Sequence, residues 1–167
     1  MTDNQKIADI LRRREYFQTC FPAIEGSEGK KTGPLPNSCP SCGYLTLDTR
    51  SGWVICSFCF WEDDGQDNHD ADLVYGGPNG EDSLTAYRLR LYDWMTGLKR
   101  NTRDQNTAES LIGSELLILD SYIAAGETNR RAVLDKIRLL AALFDKLRNV
   151  GAVKEPDWKF LPEENKI

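Results

Sequence analysis

The sequence predicts an α+β fold, mostly helical by residue count, in which a small β-hairpin module packs on several α-helices. Three observations carry that expectation. Two C-x2-C pairs, Cys39/Cys42 and Cys56/Cys59, are separated by thirteen residues. Within that interval, Leu45–Thr46–Leu47 and Trp53–Val54–Ile55 have strand composition, and Ser51–Gly52 marks a turn. On both sides of the cysteines, apolar residues recur at helical spacing. The expected organisation is an N-terminal helix and linker over 1–38, a cysteine module with an acidic loop over 39–82, and a helical region over 83–167.

Taken in order, Asp3 is expected to cap a first helix with Ile7, Ala8, Ile10 and Leu11 on its apolar side. Arg12, Arg13 and Arg14 read as a solvated helix end, where cations complement the dipole. Cys20 reads as a buried structural thiol. The stretch 25–36 is rich in Gly, Pro and Lys and reads as a linker. Its Gly29–Lys30–Lys31–Thr32 lacks the first glycine of a phosphate-binding loop at the required distance.

The four paired cysteines are the strongest chemical signal. Each C-x2-C turn aims two sulfurs at one point, and turn amides can hydrogen-bond the thiolates. Two such turns joined by a short hairpin give a four-thiolate zinc ribbon. Zinc would be structural, because Cys39, Cys42, Cys56 and Cys59 fill its coordination sphere and leave no position for water or substrate. Iron and disulfides are the alternatives. Cys39–Tyr44 resembles a rubredoxin knuckle, but no glycine follows Cys59. No secretory leader is evident, and such spacing in a reducing compartment reads as metal.

Beyond the cysteines, Phe60–Trp61–Glu62–Asp63–Asp64–Gly65–Gln66–Asp67 and Gly76–Gly77–Pro78–Asn79–Gly80 complete a pattern running from Cys39 to Arg88. With Cys39–Pro40 and Cys42–Gly43–Tyr44, it resembles the bacterial cysteine-rich CPCC family. The chain departs from that family at Ser41, where a third cysteine is expected, and at Ser57, where proline is usual. A redox role for the third thiol would be lost here. The resemblance implies a metal site. It also suggests an immunity protein, since some members look like neighbours of bacterial toxin genes.

Charge narrows the function further. The net charge is −5 with neutral thiols, and about −7 with four thiolates and one zinc. From Ser51 to Tyr87 there is no Lys or Arg, while Glu62, Asp63, Asp64, Asp67, Asp70, Asp72, Glu81 and Asp82 fall in that span. Such a surface repels phosphate backbones and fits a basic protein partner, in particular a basic toxin domain. These eight acids are therefore the expected partner-binding residues. No register of the acidic run supplies both the Gly and the Glu of an EF-hand. The single histidine, His69, reads as a solvated loop residue. Tyr44, Trp53, Phe58, Phe60 and Trp61 are expected to pack the ribbon onto the helices.

Gly76–Gly77–Pro78–Asn79–Gly80 reads as a structural turn. Ser83 caps a helix with Leu84, Tyr87, Leu91, Trp94, Met95 and Leu98 on one face and Arg88, Arg90, Lys99 and Arg100 on the other. Lys99 to Asn106 is a polar break. Thr107 opens the next helix, which Gly126 ends; its Leu116–Leu117–Ile118–Leu119 run predicts burial on several sides. Thr128 or Asn129 caps a last helix with Val133, Leu134, Ile137, Leu140, Ala141, Phe144 and Leu147 in step, closed by Gly151. The last two helices should form an antiparallel hairpin, and a tail from Lys154 should tuck Trp158 or Phe160 onto it.

No apolar run is long enough to span a membrane, so a cytoplasmic protein is expected. No nucleophile–base pair and no carboxylate pair in a cleft is legible, so no catalytic residue is assigned. The leading expectation is a non-catalytic zinc-binding protein that binds a basic protein partner, as an immunity protein does. The alternatives are a zinc-ribbon nucleic-acid binder or regulator, and an enzyme using the acidic loop.

Overall fold

The computed structural model describes residues 1–22, 37–103 and 107–149. The linker over 25–36, Gly151, and the tail carrying Trp158 and Phe160 lie outside the described residues. Four helices and one short antiparallel strand pair make up the regular structure: α1 Asp3–Cys20, β1 Asn37–Ser38, β2 Leu45–Leu47, α2 Leu84–Arg100, α3 Ala108–Ala125 and α4 Arg130–Asn149, with a 3-10 turn at Gly77–Asn79. The fold is α+β and mostly helical, as the sequence predicts.

Helix α1 starts one residue earlier than the acidic residue suggests. Thr2 is the N-cap and forms a capping box with Gln5, while Asp3 sits in the first turn. The buried stripe of α1 is Ile10, Arg13, Arg14, Tyr16 and Phe17. Two of the three consecutive arginines thus face the interior, which corrects the solvated reading. Only Arg12 stays outside, where it pairs with Asp9 at 2.9 Å. The registry of Ile10, Arg13, Arg14 and Phe17 is an ordinary i, i+3, i+4, i+7 stripe, so a guanidinium occupies two core-facing positions.

Ser83 and Thr107 cap α2 and α3 through side-chain bonds to Ala86 and Ser110. Asn129 Oδ1 accepts from the Ala132 amide at the start of α4. Gly126, left-handed at φ +65°, ends α3. Helix α2 runs through Lys99 and Arg100, further than the polar break implied. Its buried face includes Arg88, which the helical pattern had put outside. In α3, Leu116 and Leu119 are buried but Leu117 and Ile118 are exposed, so that run buries one side only. The buried face of α4 follows the sequence closely: Val133, Leu134, Ile137, Leu140, Phe144 and Leu147. Cys20 is half-buried rather than buried.

The strand pairing differs from the expected hairpin. β2 pairs with β1, Asn37 opposite Leu47 and Ser38 opposite Leu45, instead of with Trp53–Ile55. Ile55 pairs with Glu62 instead. Each cysteine turn therefore closes on its own flanks, with Cys39–Cys42 inside one ladder and Cys56–Cys59 inside the other. Asn37–Ser38 has no strand composition, so its pairing is dictated by the knuckle and not by propensity.

One apolar core joins the helices to the cysteine module. Its spine is a run of rings. Phe17 lies 6.4 Å from Tyr44, Tyr44 5.3 Å from Phe58, and Phe58 5.1 Å from Phe144 of α4. Trp61 meets Tyr87 of α2 edge-on at 4.9 Å. Tyr44, Phe58 and Trp61 thus pack the module onto the helices. Phe60 is half-buried under Arg148, 4.2 Å from its ring. Trp53 does not follow: it is 61% exposed.

Candidate metal centre

The four sulfurs of Cys39, Cys42, Cys56 and Cys59 all lie within 4.8 Å of one another, and all four residues are buried. Cys39 and Cys59 Sγ are 3.7 Å apart, as are Cys42 and Cys56 Sγ. A tetrahedron with metal–sulfur bonds of about 2.3 Å has edges of about 3.8 Å, so the spacing fits a four-thiolate ion. It exceeds a disulfide bond of about 2.05 Å, and all five cysteines are free thiols.

The two knuckles are built alike. Gly43 N–H donates to the Cys39 carbonyl and Phe60 N–H to the Cys56 carbonyl, both at 3.0 Å. Amides point at sulfur: Ser41 at Cys39, and Phe58 and Cys59 at Cys56, each at 3.4 Å. The Thr46 hydroxyl lies 3.0 Å from Cys56 Sγ. The residue after each second cysteine must turn left-handed. Gly43 does so at φ +76° and Phe60 at φ +64°. The glycine that the second pair lacks is thus replaced by a phenylalanine held in the same conformation.

Gly43 has a second constraint. A Cβ there would lie 2.6 Å from the Ile10 carbonyl of α1. Gly43→Ala is therefore expected to lower stability by about 2 kcal/mol or more, from the left-handed backbone and the overlap together. Denaturant unfolding checks it; an unchanged midpoint would mean that α1 does not sit this close to the first knuckle.

Burial raises the Cys39 and Cys59 thiols well above their ordinary range. Burial also acts to raise Cys56, but hydrogen bonds from the other three thiols and Thr46 outweigh it and bring that thiol well below. Cys56 is thus held as a thiolate more readily than Cys39 or Cys59. A central cation would remove the conflict by favouring the thiolate at every position. With four protein ligands such an ion would have no open site.

The helices hold both knuckles by their carbonyls. Arg13 Nη1 donates to Cys42 O at 2.7 Å. Arg88 donates Nε and Nη2 to Pro40 O at 2.9 and 2.7 Å. Tyr87 Oη donates to Cys59 O at 2.7 Å. Burial acts against the Arg13 charge, but Tyr44, Asp120 and Cys42 more than offset it and raise its pKa. Burial and the nearby Arg14 lower Arg88 to about 10, so it stays charged at neutral pH.

The acidic segment divides into inward and outward residues. Asp63 is fully buried; its Oδ2 accepts from Arg50 Nε at 2.8 Å and Ser51 N at 2.7 Å. Asp67 accepts from both Nη atoms of Arg14, at 2.5 and 2.6 Å, and from Arg50 at 3.1 Å. Burial acts to raise the Asp67 carboxyl, but Arg14, the Asn68 amide and Arg50 hold it far below the carboxylate range. Asp70 is buried and accepts from Tyr75 Oη and the Asp67 amide. Asp82 pairs with Arg90. Half-buried Asp64 accepts from Gln66 N and Asn79 Nδ2. Half-buried Glu62 is fixed through its backbone, which exchanges two hydrogen bonds with the Asn79 side chain. Asp72 and Glu81 are exposed. Asp63 is therefore no surface residue, and Asp67, Asp70 and Asp82 have partners within the fold. The arginines that meet them come from outside the acidic stretch, which is why its charge looked unopposed.

His69 is exposed, 3.6 Å from Asp70. Asn79, buried in the glycine-rich turn, and Gln66, whose amide donates to the Asp70 and Leu73 carbonyls, set the shape of the acidic loop. Sequence reasoning missed both. It also missed Arg13, Arg14, Arg50 and Arg88. Their one signal was registry with the apolar stripe for Arg13, Arg14 and Arg88; Arg50 had none.

No helix among the described residues is long and apolar enough to cross a membrane. No curated protein and no solved structure matches the chain. The family model described as cysteine-rich CPCC matches residues 37–106, from β1 through both knuckles, the acidic loop and all of α2. Over that stretch, which carries the four-cysteine centre, the chain is similar to the cysteine-rich CPCC family.

Proposed function

We propose that this chain is a non-catalytic zinc-binding protein that acts by binding a basic protein partner, as a bacterial immunity protein binds its cognate toxin. Zinc is the ion that suits four buried thiolates at tetrahedral spacing with no open position. The observation that carries the partner reading is the exposed face of the metal module and the loop after it. Trp53, Ile55, Leu73, Val74 and Tyr75 are each more than half exposed. They fall in the 51–87 span that has no Lys or Arg, together with exposed Asp72 and Glu81.

Large side chains in that number favour contact with another protein, and the acidic surround favours a basic one. The loop is held by Gln66, Asn79 and Tyr75, so little ordering is needed on binding. The acids offered to the partner reduce to Glu62, Asp64, Asp72 and Glu81, because Asp63, Asp67, Asp70 and Asp82 are engaged inside the fold. The nucleic-acid alternative loses its best residues, since Arg13 and Arg14 are buried.

The test begins with the partner captured from the native host. Trp53→Ala and Tyr75→Ala should speed dissociation, each by roughly tenfold or more if the ring is a binding anchor. Asp72→Lys with Glu81→Lys should slow association at low salt and much less at high salt. Unchanged kinetics in both sets would overturn this reading. Tight binding to DNA or RNA with a steep salt slope would replace it with the nucleic-acid alternative.

A further inference from the structure

Two arginines are buried against the first knuckle with neutral acceptors as their main partners. Arg88 touches Pro40 O twice and Asn68 Oδ1 once, at 2.7 Å, and has no carboxylate in contact among the described residues. Arg13 touches Cys42 O and lies over the Tyr44 ring at 4.1 Å. Its nearest carboxylate, Asp120 at 3.7 Å, is also paired with Lys99. A guanidinium buried this way is unfavourable without a counter-charge.

The surrounding ion pairs supply it only in part. Arg14 and Arg50 are balanced by Asp67 and Asp63, and Lys99 by Asp120. Asp120 is shared by Arg13 and Lys99, so these three carboxylates leave two net positive charges among Arg13, Arg14, Arg50, Lys99 and Arg88. A divalent ion in four thiolates carries two negative charges. The numbers match, and both guanidiniums grip the knuckle that contributes two of the thiolates.

We propose that Arg13 and Arg88 are the counter-cations of the metal centre. They hold the carbonyls of Pro40 and Cys42 in place and balance the net charge of a divalent ion bound by Cys39, Cys42, Cys56 and Cys59. The proposal rests on the reading that those cysteines bind such an ion. It makes the site selective by charge: a trivalent ion in the same four thiolates would leave one arginine uncompensated.

The experiment uses the full chain. Metal content of the wild type is measured first; absence of stoichiometric metal would remove the metal reading itself. Zinc affinity by chelator competition is then compared for wild type, Arg88→Met and Arg88→Lys. Arg88→Met should bind zinc roughly 10- to 100-fold more weakly, the usual effect of removing a group that supports a metal ligand. Arg88→Lys, which keeps the charge, should recover most of the loss. Iron-substituted protein gives a second readout: its Fe(III)/Fe(II) potential should fall in Arg88→Met, because a nearby positive charge favours the more negative ferrous centre, and should stay near wild type in Arg88→Lys. Equal losses in the Met and Lys variants would overturn the charge role and leave only carbonyl positioning. Lower stability in Arg88→Met with unchanged zinc affinity and iron potential would overturn it outright. If Arg88→Met does not fold, the Lys variant decides: wild-type affinity and potential uphold the proposal, and their loss rejects it.

Discussion

Removing the metal with a strong chelator is expected to unfold the whole described core and not the cysteine module alone. Structural zinc supplies roughly 10–16 kcal/mol of apparent binding energy in small peptides. A domain of this size is stable by about 5–15 kcal/mol in total, so the loss is comparable to everything available. A C-terminal helical hairpin that packed only on itself would persist. The packing argues otherwise: Phe144 of α4 rests on Phe58 inside the second knuckle, and Tyr87 of α2 on Trp61 just after it. With the sulfurs unbridged, Tyr44, Phe58 and Trp61 lose the frame that keeps them buried. Loss of near-UV circular dichroism and of helix signal should coincide on chelation, and Cys56→Ser should reproduce both without chelator. A helix signal that survives while the aromatic signal disappears would mean that the helices stand without the cysteine module. An unchanged thermal midpoint would refute a structural metal.

Asp120→Asn is expected to cost about 3 kcal/mol, at the low end of what breaking a buried ion pair costs, because the carboxylate is partly exposed. Asp120 accepts from Tyr44 Oη at 2.7 Å and pairs with Arg13 and Lys99. One α3 side chain thus ties down α1, the first knuckle and α2. Burial acts to raise the Asp120 carboxyl, but Arg13, Lys99 and Tyr44 outweigh it and the pKa is lowered. A lowered folded pKa gives stability that is complete above the unfolded value of about 3.9 and is lost as pH falls through the folded value. The gap between wild type and Asp120→Asn should therefore be constant from pH 7 down to about pH 5 and close only below about pH 4. Urea unfolding at several pH values measures it. A gap that closes near neutrality would place the effect on another group.

The four-cysteine cluster was legible because a C-x2-C pair is a local device. Two residues between thiols fix the turn, and the turn fixes where the sulfurs point, whatever surrounds it. The same holds for the caps at Ser83 and Thr107, the αL stop at Gly126 and the apolar stripe of α4, each of which depends on neighbours within about one or two helical turns. The α+β class, mostly helical, follows from those signals alone.

What the tertiary structure decided is every pairing between distant segments. Composition marked Leu45–Leu47 as a strand but could not choose its partner, and the knuckle chose the polar Asn37–Ser38 over the apolar Trp53–Ile55. The acidic stretch read as an open surface because no base lies within it. Arg14 and Arg50 come from outside that stretch and take up Asp67 and Asp63. Arginines at positions 13, 14 and 88 read as solvated because a guanidinium is costly to bury alone. In the fold they have backbone carbonyls and carboxylates to face. Local spacing determines the geometry of a turn or a helix face, but the sign and solvation of a charge depend on groups that only folding brings within a few ångströms.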